Sequence, residues 1–140
     1  MHTLCNYGSY VLVEFNDAFD CKEIMRLMQH ESFGGKQPTE HAIWNIGKHA
    51  ARLTLGELPA LVEGAQQGTK NGVRCAATAI VTHHPPTRMI MQLLADGLQK
   101  RLHIRCRTFR TMEEAQRWFA YLSDSPSTLV VAELAEAVPA

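Results

Sequence analysis

Two hydrophobic rhythms take turns along the chain. The run SYVLVEF, Ser9 to Phe15, is dense in β-branched and aromatic residues and predicts a strand. Beyond it, Ile24, Leu27 and Met28 recur at the spacing of one helical face. Asp20, with Glu23 three residues later, has the form of a capping box at the start of that helix. Gly34 and Gly35 end it, and Pro38 keeps it from resuming. A second strand, Ala42 to Ile46, leads to a second helix whose buried stripe is Leu58, Leu61, Val62 and Ala65. Thr54 and Glu57 stand at cap spacing, but Pro59 is tolerated only in a first turn, so this helix starts near Gly56. The third strand runs from about Arg74 to Thr82. The helix that begins near Pro86 carries Met89, Ile90, Leu93, Leu94, Gly97, Leu98 and Leu102, read as one face. A fourth strand, IRCRTF, precedes a helix capped by Thr111 and Glu114 with Ala115, Trp118, Phe119 and Leu122 as its stripe.

Strand followed by helix, four times over, predicts an α/β fold with parallel strands joined by right-handed crossovers. One parity of each strand carries polar residues (Glu14, Asn45, Thr78, or Arg105 and Arg107), and the other is mostly apolar. A sheet buried on both faces would read as almost uniformly apolar. The expected architecture is therefore a four- or five-stranded, mainly parallel sheet with helices chiefly on one face. The other face is left partly solvated or covered by a partner. Residues 1–122 form the expected single domain, and 123–140 a tail. In that tail Ser123 to Thr128 reads as a turn or linker, and Leu129 to Val138 as weakly amphipathic. Such a segment could dock on the less covered sheet face or on a second subunit, or equally be disordered.

Composition narrows the classes of function. At 140 residues the chain can bury one continuous core. Lys+Arg and Asp+Glu both total 14, so there is no basic surplus to draw nucleic acid or anionic lipid in general. The opening MHTLCNYGSYVLVEF lacks a basic region followed by a long apolar segment, so no signal peptide is expected. No apolar run is long enough to span a bilayer. Cys5, Cys21, Cys75 and Cys106 are far apart with no C-x-x-C pair, which argues against a zinc knuckle or a redox motif. Cys75 and Cys106 lie in apolar runs, where a reduced thiol packs as a small hydrophobe. The expected compartment is the cytoplasm.

The stretch AATAIVTHHPPTRMIMQLLADGLQKRLHIRCRTFRTMEEAQRWF resembles the SpoIIAA-like (STAS) superfamily, in a branch of small bacterial proteins without assigned function. The residues that carry the resemblance are Ala79-Ile80-Val81, the apolar helix Met89 to Leu98, the basic-aromatic strand end Arg107 to Arg110, and Glu113-Glu114-Ala115 with Trp118. It covers roughly Tyr10 to Leu122, and its motifs specify packing and capping. It implies a SpoIIAA-like fold and, by the best-understood members, an anti-sigma-factor antagonist switched by phosphorylation of a serine at the start of the second helix. Here WNIGKHAARLTLGEL has no serine, and Thr54 is the only hydroxyl near that helix start, where N-capping also accounts for it. Related folds bind lipids or nucleotides, which leaves a ligand site open by analogy.

THHPPTR, Thr82 to Arg88, is the stretch most open to chemistry. It lies at the carboxyl end of a strand, where α/β sheets take ligands. A metal needs three or four converging donors, whereas His83 and His84 are neighbours that point to opposite sides of an extended chain. An anion is the better fit. Thr87 offers a hydroxyl, Arg88 a guanidinium and the following helix its positive end, although Pro85 and Pro86 remove two N–H donors. Cys21 at a helix start could be an activated thiolate, opposed by Asp20 and Glu23. His41 and His49 flank the second strand without forming a nucleophile–base set, and Glu113, Glu114, Asp17 and Asp20 sit where helix dipoles favour carboxylates. Lys100 to Arg110 is the one basic cluster, and alternate arginines there also describe a protected edge strand, so nucleic acid is not the expected partner.

The reading is a non-enzymatic cytoplasmic module for protein interaction or small-ligand binding, expected as a homodimer, with no cofactor, metal or catalytic residue assigned. His83, His84, Thr87 and Arg88 are its ligand or anion candidates, and Thr54 is its candidate phosphosite. The alternatives are a phospho-regulated partner switch through Thr54, with a regulatory protein as partner, and an enzyme with a pocket at the His83–His84 corner.

Overall fold

In the computed structural model, residues 2–7, 10–28, 41–70, 77–102 and 105–124 are described. The elements are β1 (His2–Asn6), β2 (Tyr10–Phe15), β3 (Phe19–Asp20), α1 (Cys21–Met28), β4 (His41–Gly47), β5 (Ala51–Arg52), α2 (Leu58–Lys70), β6 (Ala77–Thr82), α3 (Pro85–Leu102), β7 (Arg105–Phe109) and α4 (Met112–Asp124). The main sheet has five strands in the order β1-β2-β4-β6-β7, and β3 pairs with β5 in a separate two-stranded ribbon. β2, β4, β6 and β7 are mutually parallel, while β1 runs antiparallel to β2. The fold is thus the expected α/β with a mainly parallel sheet, and its fifth strand is an N-terminal one.

The strand order explains where the helices lie. Each crossover from β2 onward moves one strand in the same direction, and crossovers share one hand, so α1, α2 and α3 must stack on the same face. They do so over Val11, Val13, Trp44, Ile46, Ile80 and Cys106. α4 follows the last strand and is released from that rule. It crosses to the opposite face, where Ala115, Trp118, Phe119 and Leu122 pack on Ile43, Ala77, Ala79 and Val81. Three helices share one face, and the chain's own α4 covers part of the other.

The pairing register corrects one parity. Thr78 lies opposite Ala42, not beside Asn45, so it is buried on the three-helix face. Glu14, Asn45, Arg105 and Arg107 lie on the α4 side, where Asn45 Nδ2 donates to Glu14 Oε2 at 3.0 Å.

Helix starts follow the cap signals. The Glu23 N–H donates to Asp20 Oδ1 at 3.0 Å. The Glu114 N–H donates to Thr111 Oγ1 at 3.2 Å, and the hydroxyl lies 3.2 Å from Glu114 Oε1. The second helix opens with a 3-10 turn over Leu55–Glu57, in which Glu57 accepts from the Thr54 N–H at 2.8 Å, and α2 takes up at Leu58 with Pro59 in its first turn. Leu61, Val62 and Ala65 are buried as expected.

The stripe of α3 differs from expectation. Thr87, Met91, Leu94, Ala95 and Leu98 are buried, whereas Met89 and Leu93 are 71% and 46% exposed. Apolar residues occupy nearly the whole circumference of its middle turns, so spacing alone did not select the inward side. Gly97 does face inward, since a Cβ there would stand 3.0 Å from Val62 Cγ2 of α2. The residues around Gly34, Gly35 and Pro38, the start of the third strand at Arg74 with Cys75, and the 125–140 portion of the tail lie outside the described residues.

Candidate functional site

The THHPPTR corner forms where β6 ends at Thr82 and α3 begins at Pro85. Its two histidines part company, as the alternation of an extended segment requires. His83 is exposed, and its N–H donates to Gly47 O at 3.1 Å. Gly47 closes β4 with φ +62, in the left-handed region, at a register shift between β4 and β6. The turn of β4 at a glycine thus holds the chain after β6 in place.

His84 is the N-cap of α3. Its carbonyl accepts the Arg88 N–H at 2.9 Å, and its Nδ1 accepts the Thr87 N–H at 3.3 Å. A ring nitrogen that accepts carries a lone pair, so the neutral imidazole holds its proton on Nε2. The same Nδ1 lies 2.7 Å from Thr87 Oγ1. Thr87 is buried, its hydroxyl takes the Ala51 N–H at 2.9 Å, and it lies 3.3 Å from His49 O. One hydroxyl therefore links α3 to the segment between β4 and β5.

This arrangement defines what the corner can offer a ligand. Pro85 and Pro86 have no N–H, and those of Thr87 and Arg88 are both bound to His84. The first turn of α3 has no spare backbone donor, and the Thr87 hydroxyl is occupied. What remains is the positive end of the helix dipole and the Arg88 guanidinium, whose buried Nε has no hydrogen-bond partner among the described residues. Among the described residues no three His, Cys, Asp or Glu side chains converge as a metal site would need.

The other candidates fall elsewhere. Thr54 is exposed, with its hydroxyl 3.2 Å from Glu57 Oε1. The Cys21 thiol is pushed up from its ordinary range by burial first and then by the carboxylates of Glu57 and Asp20, which makes it a poor thiolate. Glu23, expected to oppose it, instead reaches His2 Nδ1 at 2.6 Å and pins β1 to α1. Sequence reasoning missed this contact because it spans two elements that no local pattern connects. His41 stacks on Phe119 with centroids 4.5 Å apart. The basic cluster is divided by the strand it contains. Lys100 and Arg101 are exposed in the last turn of α3, Arg105 and Arg107 lie on the edge strand β7, and Arg110 follows at its far end. The Arg107 guanidinium lies 5.6 Å from the Phe109 centroid and 5.9 Å from that of Trp118. No helix among the described residues is long and apolar enough to cross a membrane.

No family model matches the chain, and neither does any curated protein sequence. Solved structures do resemble it. An uncharacterised DUF3478-family protein with a SpoIIAA-like fold from Shewanella loihica PV-4 aligns with TM-score 0.50 and 15% identity, over 84% of this chain and 91% of that one. The anti-sigma factor antagonist SpoIIAA in its unphosphorylated form aligns with TM-score 0.48 and 14% identity, over 86% and 98%. The Bacillus cell fate determinant SpoIIAA in the phosphorylated form aligns with TM-score 0.46 and 18% identity, over 85% and 99%. With the sheet order above, the first likeness establishes a SpoIIAA-like fold for this chain.

Proposed function

We propose that this chain is a non-enzymatic, cytoplasmic STAS-like interaction module, with residues 1–122 as the working domain and 123–140 as an appended tail. Its partner in the first instance is a second copy of itself. The observation that carries this reading is the pair Met89 and Leu93, large apolar side chains one turn apart on the outer side of α3 and exposed. Covering two such side chains contributes roughly 1.5–3 kcal/mol each. Light scattering on the full chain tests it. The wild type is expected as a dimer, and the double variant Met89→Glu with Leu93→Glu as a folded monomer. A monomeric wild type, or a double variant that stays dimeric, would contradict the assignment.

A second reading, a phospho-regulated switch, draws support from the exposure of Thr54 beside Glu57. A phosphate there would repel the Glu57 carboxylate from the Thr54 N–H and open the turn that leads into α2. A Thr54→Glu variant that leaves self-association unchanged would remove it. Binding of a small anion at the corner would rest on Arg88, and Arg88→Gln should then abolish any phosphate binding seen by calorimetry.

A further inference from the structure

The outer side of α3 carries a second pattern beside the buried one. Pro86, Met89, Leu93, Asp96 and Lys100 follow one another at spacings of three and four residues, and all five are exposed. That alternation is the seam along which one helix packs on another. Its first half is apolar and its second half charged. Arg88 flanks the apolar half, with a buried Nε that has no hydrogen-bond partner among the described residues. Neither Arg88 nor Asp96 makes an ion pair with any described residue. They stand eight residues apart on one helix, about 12 Å along its axis, and do not pair within the chain. The first turn of α3 holds no carboxylate of its own, although the positive end of a helix favours one.

From this pattern we infer that two copies of the chain pair through α3 laid antiparallel. Met89 packs against the partner's Leu93, and Asp96 lies against the first turn of the partner's α3, beside the partner's Arg88. The inference rests on the self-association proposed above and gives it a geometry. Charge selects the direction. Parallel helices would set Asp96 beside the partner's Asp96 and Lys100 beside the partner's Lys100, and like charges face to face are unfavourable. Apolar contact selects the register. With Met89 opposite the partner's Leu93, a step of three residues along each helix brings the partner's Asp96 opposite Pro86. Sliding to the next step of the seam would put Leu93 on the partner's Asp96 and Met89 on the partner's Lys100, apolar side chains against charged ones. A two-fold axis makes every contact twice: two apolar pairs, and two carboxylates that each meet a helix start and a guanidinium. Arg88, left without a counter-charge by its own corner, is completed by the second copy.

Sedimentation velocity of the full chain and its variants, over a range of concentrations, tests it. Asp96 is exposed, so Asp96→Lys is expected to fold normally. It should weaken self-association about tenfold or more, since two attractive contacts become repulsive. Asp96→Glu should stay near wild type. Arg88→Glu, checked for folding by circular dichroism, should associate as poorly as Asp96→Lys. Mixing these two variants is the sharpest arm, because every charged contact between one chain and the other is then attractive. The mixture should regain near wild-type affinity. Should Arg88→Glu fail to fold, the contrast between Asp96→Lys and Asp96→Glu decides alone. A wild-type dimer that Asp96→Lys leaves unchanged, or a mixture no tighter than its components, overturns this geometry but not self-association. A wild type that stays monomeric at every concentration overturns both.

Discussion

The imidazole Nδ1 of His84 stands 2.7 Å from Thr87 Oγ1, and that hydroxyl also receives the Ala51 N–H at 2.9 Å. Residues that look like ligand donors in the sequence are therefore the clasp that holds α3 against the chain leading from β4 into β5. Thr87→Val keeps the shape and removes the hydroxyl, which leaves the partly buried Ala51 N–H without its partner. The expected loss is about 1–3 kcal/mol in urea denaturation. His84→Ala removes the cap and should cost about 1 kcal/mol, with His84→Asn recovering most of it. A Thr87→Val protein as stable as wild type would contradict the clasp.

Gly47 is the second support of this corner. Its φ of +62 lies where an L side chain is strained. Gly47→Ala should lose about 1–2 kcal/mol by the same measurement, even though a Cβ would meet nothing closer than His83 Nε2 at 3.9 Å. An unchanged midpoint would show that the backbone can relax.

Adjacent leucines on α3 should behave oppositely. Leu94 is fully buried, and Leu94→Ala is expected to cost about 2–5 kcal/mol. For Leu93→Ala the change in monomer stability should stay within about 0.5 kcal/mol. Comparable losses at both positions would mean that the inward face of the helix had been misassigned.

These leucines also show what the sequence could and could not convey. β2, β4, β6 and β7 were legible because buried parallel strands are short β-branched runs between helical stretches, and the caps at Asp20, Thr54 and Thr111 because their partners lie three residues away. The face of α3 was not, since Met89, Ile90, Met91, Leu93, Leu94 and Ala95 leave almost no polar side to orient it. β1 escaped notice because HTLCN is short, mixed in polarity and made a strand only by pairing with β2. Thr87 was read as a free hydroxyl because the groups it satisfies, His49 O and the Ala51 N–H, lie about 36 residues away. A contact of that span leaves no periodic trace.

Alkaline pH should act through Cys106. Burial, with a smaller contribution from Asp96, pushes its thiol from 9.0 up to about 12. Between those values the unfolded chain releases a proton that the folded chain keeps. The stabilisation is therefore fully present below pH 9 and is lost as pH rises toward 12, by at most about 1.4 kcal/mol per pH unit. The stability difference between wild type and Cys106→Ala, measured in urea, should shrink between pH 8 and pH 10.5. A difference independent of pH would contradict the burial of this thiol.

The most direct test of an interaction module is native mass spectrometry of the untagged full chain under gentle conditions. The account predicts a dimer whose mass is that of two bare polypeptides. A monomer that retains a small molecule would contradict it and turn attention to Arg88 as a ligand-binding group.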